Sequence, residues 1–106
     1  MITVCIDREN ITLSMEGHAG YAEPGMDIVC AAASMLAYTL AARLREISQG
    51  DGLDISLSPG NARIRADVSW QIISDCRAVL DTISAGFTLL AGQYPQYVSV
   101  HTGGVT

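Results

Sequence analysis

Gly17-His18-Ala19-Gly20-Tyr21-Ala22-Glu23-Pro24-Gly25-Met26-Asp27-Ile28-Val29-Cys30-Ala31-Ala32-Ala33-Ser34 is the joint at which two-residue alternation gives way to a helical run. Upstream, Ile2, Val4 and Ile6 alternate with Thr3, Cys5 and Asp7. Arg8-Glu9-Asn10 reads as a turn, and Ile11, Leu13 and Met15 resume the alternation, which predicts a hairpin. Downstream, Asp27 is a good N-cap, and the alanine-rich run after it meets no Gly or Pro until Gly50. A helix over about 28–49 follows, with Arg43 and Arg45 suited to the negative end of its dipole. Leu53, Ile55 and Leu57, the turn Ser58-Pro59-Gly60-Asn61, then Ala62, Ile64 and Ala66 predict a second hairpin. Asp67 or Ser69 is positioned to cap a second helix, whose apolar stripe runs through Ile72, Ile73, Cys76, Leu80, Ile83, Phe87 and Leu90 and which Gly92 ends. Gln96–Thr102 is the last strand, with Gly103-Gly104 as a loose tail. The order is ββαββαβ. One apolar face per strand predicts an α+β two-layer sandwich, a mostly antiparallel sheet with both helices on one face.

At 106 residues the chain is expected to be one domain, 1–106, with a modest core. It shows no linker and no low-complexity stretch. At 49% hydrophobic content, neither disorder nor a disulfide-dependent miniprotein is needed to account for the chain. Cys5, Cys30 and Cys76 form neither a CxxC pair nor, with His18 and His101, a zinc pattern, so no metal or cofactor is expected. Free thiols suit a reducing cytoplasm. The N-terminus has no basic start, and no run of about eighteen apolar residues suggests a membrane span. The net charge is −5, and all six cations are arginine. That balance disfavours direct nucleic-acid binding and permits a basic protein partner, though mild acidity more often serves solubility. The long helix is apolar over more than one stripe, so its spare face either lies beneath the second helix or meets another subunit.

With Asp27 at the cap, Cys30 falls at N3, where an unpaired N–H and the helix dipole favour an anion. The thiolate is the nucleophilic form, and an imidazolium such as His18 across the loop would stabilise it and protonate a leaving amine. These are the parts of a cysteine hydrolase. Taken alone, Cys30 reads more often as a small buried hydrophobe, as Cys76 does on the second helix. His18 alone reads as a loop histidine bonded to backbone, and His101 as a surface residue. Asp27 has two readings, a cap on the Cys30 amide or an orienter of His18. Ser34, one turn beyond Cys30, either donates to the thiolate or substrate or bonds back to the Cys30 carbonyl. Gly17, Gly20 and Gly25 are candidates for close approach of a peptide, for a lid together with Pro24, and for the loop side of an oxyanion hole; the other donor would be the Cys30 N–H. Tyr21, Trp70, Tyr94 and Tyr97 are candidates for a pocket lining, although such rings more often simply pack.

The G-H-A of Gly17-His18-Ala19 and the G-x-D-I-V-C-A-A-x-S of Gly25–Ser34 resemble the ribosomal-processing cysteine protease family, Prp. Length and element order fit as well. The resemblance implies a Cys/His dyad made by Cys30 and His18, a homodimer, and an endopeptidase that removes the N-terminal extension of a bacterial large-subunit ribosomal protein, the twenty-seventh. It also implies aromatic residues before the cut and an apolar pocket to receive them. The alternative from another class is a non-catalytic module that binds a ribosomal protein during assembly. A thiol redox sensor ranks last, because no resolving cysteine lies close in sequence.

Overall fold

The computed structural model describes residues 1–23, 27–58 and 60–103. Pro24, Gly25, Met26, Pro59 and the Gly104 end of the tail lie outside the described residues. The elements are β1 (Ile2–Asp7), β2 (Thr12–Glu16), α1 (Ile28–Ser48), β3 (Leu53–Ser58), β4 (Asn61–Ala66), α2 (Ile73–Gln93) and β5 (Val98–Thr102). This is the ββαββαβ two-layer α+β sandwich that the alternation and the helical runs predict.

The sheet order is β3-β4-β2-β1-β5. Both hairpins are antiparallel, and β2 joins them through β4, with Glu16 opposite Asn61. β5 alone is parallel to its neighbour, β1, because α2 carries the chain back across the sheet before β5 begins. β1 is therefore an interior strand, between β2 and β5.

Ile2, Val4, Ile6, Leu13, Met15, Ala62 and Ile64 supply the sheet's side of the core. Val29, Ala33, Ala37, Leu40, Ala41 and Leu44 of α1 and Cys76, Leu80, Ile83 and Phe87 of α2 meet them. By length and composition α1 is apolar enough to cross a membrane, contrary to the expectation that no such run exists. Its buried stripe, a third of the apolar window, lies inside this core.

Local details depart from the sequence pattern in three places. Neither Asp67 nor Ser69 caps α2: the chain first turns, with the Ile72 N–H donating to the Ser69 carbonyl, and the cap position falls to Ile72 without a side-chain bond. Gly92 does not end α2, which continues to Gln93; the Tyr94 N–H closes it onto the Leu90 carbonyl at 2.9 Å. β5 begins at Val98, because Tyr97 and Val98 first donate to the Tyr94 carbonyl in a tight turn.

Antiparallel pairing of β1 with β2 and parallel pairing with β5 place several chain ends together. The end of β2, the starts of β1 and β5, the β3–β4 turn and the C-terminus of α2 share one rim. The loop from β2 to α1 leaves from that rim.

Candidate active site

The tip of α1 is built by one carboxylate. Asp27 is extended (φ −84°, ψ 97°), so its side chain folds over the first turn. Its Oδ1 accepts the Cys30 N–H at 2.9 Å and its Oδ2 accepts the Tyr21 N–H at 3.2 Å. The Asp27 carbonyl takes the Ala31 N–H at 3.1 Å, the first bond of the helix. Cys30 is half-buried, packed against the core. From N3 its Cα–Cβ bond leans toward the helix N-terminus, so the thiol faces the positive end of the dipole.

His18 is exposed and lies two residues past the end of β2. Gly17 makes the bend at φ +103°, and the Met1 carbonyl occupies the place where a Cβ would stand, so only glycine fits. The ladder from Glu16 to Asn61 then lays His18 over the β3–β4 turn. A Cβ on Gly60 would lie 2.7 Å from His18 Cε1 and 3.0 Å from Nε2. The imidazole thus rests on bare backbone. Gly60 gave no signal in the sequence beyond its turn, because the contact depends on the pairing of β2 with β4.

Among the described residues, no hydrogen bond joins His18 to Cys30 or to Asp27. Both Asp27 oxygens are taken by backbone donors, which makes this residue a cap and a clamp on the loop. The Cys30 N–H, expected to stabilise an oxyanion, is likewise donated to Asp27. Ser34 is half-buried, and among the described residues its hydroxyl has no partner, whereas Thr39, Ser48, Thr82 and Thr88 each bond back one turn. Gly17 and Gly20 both have positive φ, and Gly25 falls outside the described residues.

Three of the four aromatic candidates come together. Tyr21 meets Tyr94 and Tyr97 edge-to-face, with ring centroids 5.6 and 5.3 Å apart. Through this ring the loop leans on the α2–β5 turn. Trp70 is 82% exposed on the connection from β4 to α2, at the opposite end of the sheet, and lines nothing here.

The remaining thiols stand apart. Cys5 is exposed on the open sheet face, in register with His101. Cys76 is fully buried; loss of hydration pushes its thiol up, and Asp75 adds to the effect. The open face carries a shallow cavity of about 730 Å³ lined by Cys5, Ser14, Arg63 and His101 among others, on the far side of the sheet from α1. Among the described residues, no three His, Cys, Asp or Glu side chains group to hold a metal ion.

A half-buried thiol at a helix tip, with a histidine on the loop that leads to it, supplies a nucleophile and a base of the kinds a cysteine protease uses. The comparisons give the same class. A family model described as cysteine protease Prp matches residues 1–99, and the chain belongs to that family. The ribosomal processing protease Prp of S. aureus, solved with a covalently linked product peptide, is similar with a TM-score of 0.79 at 24% identity, over 96% of this chain and 99% of the other. The same protease solved with a substrate peptide gives 0.68 at 21% identity, over 95% and 96%. SMU.848 from Streptococcus mutans gives 0.70 at 25% identity, over 98% and 93%. No curated protein matches the chain.

Proposed function

We propose that this cysteine protease removes the N-terminal extension of a bacterial large-subunit ribosomal protein, the twenty-seventh, with Cys30 as nucleophile and His18 as acid and base. The observation that carries the assignment of residues is the helix tip. Asp27 fixes the first turn of α1, and Cys30 is the half-buried thiol on it. The family match supports the chemistry, and the S. aureus relative bound to peptides supports a peptide substrate.

In this reading the Cys30 thiolate attacks the scissile carbonyl and a C–S bond forms. The C–N bond breaks as His18 gives its proton to the leaving amine. Water then attacks the thioester while His18 takes a proton from it; the C–S bond breaks, the new carboxyl group leaves, and the thiolate returns. The step requires His18 to swing from its rest on Gly60 into reach of Sγ. An oxyanion requires donors other than the Cys30 N–H, or release of that N–H by Asp27. The Tyr21, Tyr94 and Tyr97 rings offer the apolar surface for aromatic residues before the cut.

Two further expectations belong to this reading. The three free thiols support a reducing cytoplasm. Ile28, Ala31, Met35 and Tyr38 form one exposed apolar stripe on α1, which supports a homodimer through that face.

The test is direct. Purified protein incubated with the extended ribosomal protein gives a shortened product, read by mass spectrometry. Cys30→Ala and His18→Ala abolish that product while the melting curve stays nearly unchanged. Normal cleavage by either variant sinks the mechanism.

A further inference from the structure

We infer that Gly60, in the turn between β3 and β4, is a positioning residue for His18: its missing side chain is the seat of the imidazole. The inference rests on the reading of His18 as acid and base. Register places the two together. Glu16 pairs with Asn61, so the residues just past β2 and just before β4 are cross-strand neighbours beyond the last rung of the ladder. Gly60 is buried, with φ +78°, and turns its bare α-carbon toward the loop. A methyl group there would stand 2.7 Å from His18 Cε1, 3.0 Å from Nε2 and 3.1 Å from the Gly17 carbonyl.

At 2.7 Å something must shift, whereas contacts of 3.0 and 3.1 Å need only a small displacement of the neighbour. The Gly17 carbonyl is backbone and yields little, whereas the imidazole is the end of a side chain, so the ring of His18 is the part that must move. It is exposed and free to swing, which means that a side chain at residue 60 displaces the imidazole without disturbing the core. His18 starts its swing toward Sγ from this seat, so a side chain at residue 60 changes the position from which the ring reaches the thiol. A misplacement of about 1 Å there is enough to lower turnover by roughly a hundredfold.

The experiment separates a displaced ring from a strained turn. Asn tolerates positive φ and yet carries a Cβ, so Gly60→Asn keeps the turn while filling the seat. Gly60→Asn and Gly60→Ala are made in the full chain, each also in a His18→Ala background. The readouts are kcat and KM on a peptide spanning the cleavage site, the iodoacetamide rate of Cys30 against pH, and the His18 ring signals by NMR. Both variants are expected to shift the His18 ring signals and to lower kcat roughly ten- to a hundredfold, with KM changed less than about threefold. Both are also expected to alter the pH profile of Cys30 alkylation, and to leave that profile unchanged when His18 is already alanine. Loss of kcat in Gly60→Ala with a normal Gly60→Asn enzyme overturns the inference in favour of turn strain. An equal alkylation change with and without His18 overturns it as well. In either case an inactive His18→Ala leaves the acid–base reading standing. A fully active His18→Ala removes that reading, and the inference with it.

Discussion

Each of the three thiols is decided by its immediate surroundings. Cys5 is a strand residue on the open face, and Cys30 is half-buried at a helix tip. Cys76 is fully buried, and loss of hydration raises its thiol above the ordinary value. The sign of the consequence follows. An unfolded thiol titrates at about 8.5, and the folded one holds its proton to higher pH. The stability from this difference is complete below the unfolded value and is lost as pH rises through the folded one. Urea unfolding between pH 7 and pH 10 should therefore show a steeper loss of stability for the native protein than for Cys76→Ala. Equal slopes would show that this thiol carries none of the alkaline sensitivity.

The start of α1 and the loop before it are held by Asp27 and Tyr21, and these two make separable predictions. Asp27→Ala removes the acceptor of the Cys30 N–H, and an N-cap is worth about 1 kcal/mol. For a domain of this size that is a fall of roughly 4–8 °C in Tm, measured by calorimetry. Asp27→Asn keeps an acceptor and should recover most of that fall. Tyr21→Ala removes two edge-to-face contacts, each worth about 0.5–1.5 kcal/mol, from a loop that reaches the core, among its described residues, only through Ala19. Limited proteolysis between Gly17 and Asp27 should quicken several-fold while global melting stays within about 1 °C. A fall in global melting comparable to that of Asp27→Ala would instead make the aromatic cluster part of the cooperative core.

At the scale of the whole molecule, the outward stripe of α1 is the feature the monomer leaves unexplained. Met35 is 64% exposed and Ile28 57%, seven residues along the same helix face. Light scattering at micromolar concentration should report twice the 11.2 kDa of the chain. Met35→Arg should shift the mass toward one copy. A native protein that scatters as a monomer would remove the dimer from the proposed function.

Much of this molecule is local, and so legible in its chain. Alternation in Ile2–Asp7 and Asn61–Ala66, the Asp27 cap and the alanine run after it specify strands and helices by periods of two and 3.6 residues. They also place Cys30 on a first turn with no help from the rest of the fold. Where local signals were weak, at the start of α2 and at Gly92, the ends of elements moved, because packing and backbone bonding outweigh single-residue preference there. Strand order, the parallel seating of β5 on β1, the Tyr21 rings on Tyr94 and Tyr97, and Gly60 beneath His18 were decided only in three dimensions. Each joins residues far apart in the chain, and which pairs form depends on how one shared core is filled, a condition no short window of sequence contains.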